Sequence, residues 1–132
     1  MPLQTAMIID DDADFGHLLE SILEERKIYA MSVQTLQEAE DYLSYMKPTV
    51  IFLDNSFPDG LGINFIRTIR SSDDGIKIIM ITGDTGEWIQ AKAQEEGIYC
   101  FLKKPLTKEI IYGVLDKLNF GATGKFFHSV NS

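Results

Sequence analysis

Residues 50–62 read VIFLDNSFPDGLG. Four large apolar residues in a row, Val50 to Leu53, end at Asp54 and run into a turn cluster of Ser56, Pro58, Asp59 and Gly60. A short continuous apolar run bounded by turn residues reads as a strand buried on both faces, the kind found in parallel sheets. Four other runs share the pattern: Ala6 to Ile9, Tyr29 to Val33, Ile76 to Ile81 and Ile98 to Leu102.

Helical periodicity fills the gaps. Phe15, Leu18, Leu19, Ile22 and Leu23 recur at helical spacing and predict an amphipathic first helix, with Asp12 as its N-cap. Leu36, Ala39, Leu43 and Met46 predict a second, stopped near Pro48. Leu61, Phe65, Ile66 and Ile69 predict a third. Ile110, Ile111, Val114, Leu115 and Leu118 predict the last, capped by Thr107. Between about Thr85 and Glu96 the stripe is shallow, with only Trp88, Ile89, Ala91 and Ala93. Strand and helix alternate five times. That order predicts an α/β, doubly wound five-stranded parallel sheet, with helices on both faces and right-handed crossovers. In such a sheet the functional site lies beyond the carboxyl ends of the strands.

The composition fits one soluble domain: 132 residues, 45% hydrophobic and 24% charged. A net charge of -8 argues against nucleic acid as a partner, since phosphate backbones require clustered Lys and Arg. A single cysteine, Cys100, excludes an internal disulfide and fits a reducing, cytoplasmic setting. No apolar run approaches the ~18 residues of a membrane span, and the N-terminus has no secretory pattern.

The strand ends carry the chemistry. Asp10, Asp11 and Asp12 follow the first strand, Asp54 the third, Thr82 and Gly83 the fourth, and Lys104 and Pro105 the fifth. Taken singly, each has a bland explanation: a cap, a turn or a solvated lysine. Together they converge on one cleft. Three carboxylates in close range raise one another's pKa and are costly to hold ionised. Lys104 offsets one charge and a divalent cation offsets two. An oxygen-rich set without a His or Cys cluster suits Mg²⁺ rather than zinc. A metal, a lysine and a threonine hydroxyl around one carboxylate form a phosphoryl-binding constellation. The triply acidic loop excludes a Gly-rich nucleotide site.

Over about Thr5 to Leu118 the chain resembles the receiver domain of two-component response regulators. The segments that carry the resemblance are MIIDDDADF, VIFLDNSFPDGLG, IIMITGD and GIYCFLKKP, in the family's order and spacing. The resemblance implies the (βα)5 flavodoxin-like form with strand order 2-1-3-4-5. It implies that Asp54 accepts a phosphoryl group from a phosphohistidine of a histidine kinase or phosphotransfer protein. Asp11 would bind Mg²⁺ directly, Asp10 through water, with Asp54 and the Ser56 backbone carbonyl as further ligands. Thr82 would bond the arriving phosphoryl oxygen and Lys104 would pair with it. Phe101 holds the switch position, and Pro105 would follow a cis peptide. The activity expected is the domain's own phosphorylation and dephosphorylation, read by a downstream protein or output domain. Phe57 replaces a frequent Met, Gly83 a usual Ala and Phe101 a frequent Tyr. Ser56 and Asp84 occupy positions that tune phosphoryl lifetime in the family.

Residues 1–118 are thus the expected receiver unit. Residues 119–132, with Phe126 and Phe127, are expected to be a docked tail or a truncated linker. Two other readings stay open on sequence. A haloacid-dehalogenase-like phosphatase would use Asp10, Asp12, Thr82 and Lys104, but no second acidic pair follows Lys104 and Asp54 is left without a role. A phosphorylation-independent interaction module would be expected to lack an acid, the Thr or the Lys, and all are present. His17 is expected on the surface, and Trp88 as an exposed anchor or a partner contact.

Overall fold

A computed structural model describes residues 4–83 and 87–118. The elements in chain order are β1 (Thr5–Ile9), α1 (Ala13–Glu25), β2 (Tyr29–Val33), α2 (Leu36–Leu43), β3 (Val50–Leu53), β4 (Ser56–Phe57), β5 (Gly60–Leu61), α3 (Gly62–Ser72), β6 (Lys77–Thr82), α4 (Glu87–Glu95), β7 (Cys100–Lys103) and α5 (Lys108–Leu118). Five strands form one parallel sheet in the order β2-β1-β3-β6-β7. Counted within that sheet alone, this is the expected 2-1-3-4-5. β4 and β5 form a separate two-stranded antiparallel ribbon across the expected turn, and it takes in Leu61, which was expected on the third helix's apolar stripe but is exposed and stands as that helix's N-cap residue.

The period-2 alternation of each strand builds two cores. Met7, Ile9, Ile51, Leu53, Ile78 and Met80 face α2, α3 and α4. Ala6, Ile8, Val50, Phe52, Ile79 and Ile81 face α1 and α5. Both faces of the central strands are therefore covered, which is why they contain almost no polar residue.

The helix starts follow the capping chemistry. Asp12 Oδ1 accepts the amides of Asp14 and Phe15 at 3.0 and 3.2 Å. Thr107 Oγ1 accepts that of Ile110 at 3.2 Å. Other expectations shift. Leu18 is 57% and Ile110 43% exposed, so neither belongs to the buried stripe of its helix. In α4 Ile89 and Ala93, one turn apart, are buried, while Trp88 is exposed. α2 closes at Leu43, before Pro48, where Ser44 Oγ bonds the Asp41 carbonyl. β6 and β7 each begin one or two residues later than their apolar runs, because ladder pairing rather than hydrophobicity sets their ends. Asp84 and the tail at 119–132 lie outside the described residues.

Candidate phosphoryl and cation site

The sheet ladder extends one residue past β1, β3 and β7 and so sets the site's residues side by side. The Asp10 amide bonds the Val33 carbonyl, the Asp54 amide the Ile9 carbonyl and the Lys104 amide the Thr82 carbonyl, at 2.9 to 3.1 Å. Asp10 and Asp54 are 3% and 8% exposed, and Thr82 is buried beside them at the end of β6. Asp11 is exposed at the rim. One carboxylate oxygen from each of Asp10, Asp11 and Asp54 lies within 4.8 Å of the others.

Lys104 reaches into this cluster from the β7–α5 connection. Its Nζ donates to Asp10 Oδ2 at 2.7 Å and lies 3.5 Å from Asp54 Oδ2. The Phe15 ring covers the same ammonium at 4.4 Å, a cation–π contact that also shields it from water. Burial pulls the Lys104 pKa down, but the hydrogen bond and charge of Asp10, with the charge of Asp54, outweigh it and hold it above its ordinary value. Burial raises the Asp10 carboxyl and Asp54 raises it further, against the bonds from Lys104 and the Asp12 amide. Three carboxylates against one ammonium leave a formal charge of -2 when all are ionised. An all-oxygen set with that surplus fits a hard divalent cation.

The other expected residues fall as follows. Ser56 is exposed in β4, two residues past Asp54. Phe101 is half-buried on β7 opposite Met80 and packs on the core beneath α2 to α4. The Lys104–Pro105 peptide is cis. His17 is exposed on α1. The Asp12 carboxylate caps α1, which removes the second acid that the phosphatase reading needs.

Three residues without a role in the motif reading shape the site. Asn55 is 2% exposed; its amide donates to Asp54 Oδ1 at 2.7 Å and its Oδ1 accepts the Ile63 amide at 2.9 Å. It thereby caps α3, whose own N-cap residue Leu61 supplies no side-chain bond. Gly62 donates its amide to the Asn55 carbonyl at 2.7 Å, and a Cβ there would stand 1.9 Å from the Asp54 carbonyl oxygen. Asp59 accepts the amides of Leu36 and Gln37. The polar Asn55 directly after Asp54, and a glycine opening an apolar helix stripe, were the available signals.

This strand order defines a doubly wound α/β domain with an acidic cleft at the carboxyl edge of its parallel sheet. The family profile of the response regulator receiver domain matches residues 6–116. The response regulator protein PilR of Pseudomonas aeruginosa is 29% identical over 106 residues, covering 80% of this chain and 24% of that protein. The beryllofluoride-activated NtrC4 receiver domain dimer is 34% identical with a TM-score of 0.81, covering 88% of this chain and 95% of that one. A two-component response regulator from Clostridium difficile is 29% identical with a TM-score of 0.83, covering 88% and 96%. The chain belongs to the receiver-domain family of two-component response regulators. It spans between about a quarter and a half of the length of the curated relatives it matches. None of its described helices is long and apolar enough to cross a membrane.

Proposed function

We propose that Asp54 is the phosphoacceptor of this receiver domain. The observation that carries the reading is the placement of its carboxylate, 3.5 Å from Lys104 and grouped with Asp10 and Asp11 at the carboxyl edge of the sheet. Asp10, Asp11, Asp54 and the Ser56 carbonyl would hold Mg²⁺. When bound, the cation neutralises phosphoryl oxygens and lowers the repulsion between them and the carboxylates. In the transfer itself an Asp54 carboxylate oxygen forms the new P–O bond. The P–N bond of the donor phosphohistidine breaks, and its electron pair leaves on the imidazole. Lys104 exchanges part of its contact with Asp10 for the arriving phosphoryl group, and Thr82 donates its hydroxyl to a phosphoryl oxygen. The activity is confined to the domain's own phosphorylation and dephosphorylation.

The donor is a histidine kinase or phosphotransfer protein. A groove of about 390 Å³, lined by Phe15, Leu18, Lys104, Pro105 and Leu106, opens beside the cleft. Its exposed apolar wall continues directly to the active lysine, so a donor helix resting there would bring its imidazole to Asp54. Beryllofluoride, a phosphoryl mimic, activates the 34% identical NtrC4 receiver domain, which supports the same chemistry here. Residues 1–118 act as the receiver unit, in the cytoplasm, and Thr82 and Phe101 pass the change to a downstream protein or output domain. The test is labelling by a small phosphodonor with Mg²⁺. Asp54→Asn should abolish the label, and full labelling of that variant refutes the assignment.

A further inference from the structure

The β4–β5 ribbon has two residues in each strand, and strands that short have no stability of their own in water. Its anchorage therefore comes from outside. At its tip Asp59 accepts the Leu36 and Gln37 amides at 3.2 and 3.1 Å, one on each carboxylate oxygen. These amides open α2 and have no partner within the helix, and the partial positive charge there suits a carboxylate. Next to Asp59, Gly60 adopts φ +149° and packs so close to α2 that an added Cβ would lie 3.1 Å from Leu36 Cδ1.

α2 already has a cap of its own. Thr35 Oγ1 accepts the Glu38 amide at 3.1 Å, and Glu38 Oε1 reaches back to accept the amide of Gln34, the residue before the cap, at 3.0 Å. The second cap arrives from 22 and 23 residues away. A helix that is capped locally does not need it to start. The ribbon does, because it must be held in place.

We propose that Asp59 is a positioning residue for the acidic cleft: it ties the ribbon that follows Asp54 to α2, and so couples cation occupancy of the cleft to the first turn of that helix. The proposal rests on the reading of Asp10, Asp11 and Asp54 as a Mg²⁺ site. Ser56, whose carbonyl is the remaining expected ligand, lies in the tied ribbon. Coupling of this kind is reciprocal: if the tether orders the ribbon for the cation, the cation tightens the tether.

The test measures Mg²⁺ affinity by calorimetry and amide exchange at Leu36 and Gln37 with and without Mg²⁺. Asp59→Ala should weaken Mg²⁺ binding about fivefold, the low end of typical coupling between sites. Asp59→Ser, neutral but able to accept one amide, should recover part of the loss and separates the tether from the charge. Thr35→Ala removes the local cap; it should lower Tm yet bind Mg²⁺ as the parent does. In the parent, Mg²⁺ should slow exchange at both amides. Unchanged affinity in Asp59→Ala, no recovery in Asp59→Ser, or an equal loss in Thr35→Ala overturns the proposal. Asp11→Ala, run in parallel, should lose Mg²⁺ binding. If it does not, the cation is elsewhere and the reading of the cleft itself fails; if it does while Asp59→Ala binds normally, only the tether is wrong.

Discussion

A methyl group added at Gly62 would stand 1.9 Å from the carbonyl oxygen of Asp54, 3.0 Å from its carbonyl carbon and 3.1 Å from Asn55 Cα. To reach even 3.0 Å from that oxygen, the two segments must separate by about 1 Å. No side-chain rotation can absorb this, because all three atoms are backbone. The displaced peptide is the one that carries Asp54 and that Asn55 pins to α3 through Ile63 and Gly62. Gly62→Ala therefore has two expected effects. Overpacking against rigid backbone should cost about 3 kcal/mol, the upper part of the usual range. Movement of the Asp54 peptide by about 1 Å should slow phosphorylation by about a hundredfold, since misplacement on that scale is enough to do so. Urea unfolding measures the first effect and the rate of labelling by a small phosphodonor measures the second. Gly83→Ala is the control, because a Cβ there meets nothing within 4 Å. If Gly62→Ala unfolds at the parent's urea midpoint and labels at the parent's rate, the argument that this glycine is required by close approach is refuted.

Gly113 lies inside α5 with open space around its missing Cβ, so Gly113→Ala should stabilise the domain by about 1 kcal/mol in urea unfolding. The Tyr112 hydroxyl and then Lys108 hold Glu25 below its ordinary pKa of 4.5. A carboxylate with a depressed folded-state pKa contributes stability that is complete above the unfolded value and is lost as pH falls through the folded one. Thermal unfolding followed below pH 4.5 should therefore show a shallower acid limb in Glu25→Gln than in the parent, and identical limbs would show that the Glu25 contacts do not form in solution. Beryllofluoride should alter amide exchange along β6, α4 and β7 as well as around Asp54. Inward burial of the Phe101 ring would supply about 2 kcal/mol at most, and a response confined to the Asp54 loop would exclude the relay through Thr82 and Phe101.

The five strands were legible because their signal is local: an unbroken apolar run such as Val50 to Leu53 has no other economical use in a chain this short. The convergence of Asp10, Asp54, Thr82 and Lys104 was legible too, since a parallel sheet gathers every strand's carboxyl end on one edge. What the sequence could not state is how those groups divide their bonds. That Lys104 bonds Asp10 more closely than Asp54 depends on a contact across 94 positions. The exposure of Leu18 was equally hidden, because helical spacing places it on the apolar side of α1 while the neighbouring elements decide where that side ends. Asp59 read as a turn residue, and its hold on α2 exists only once the ribbon folds back over that helix. Nothing in the sequence marks Gly62 as required, yet the Asp54 carbonyl occupies the space a side chain there would need. Periodicity and strand-end chemistry are properties of the chain alone, so they determined the architecture and the acidic cleft. Close approach and the choice among competing hydrogen-bond partners arise between distant segments, so only the tertiary structure decided them.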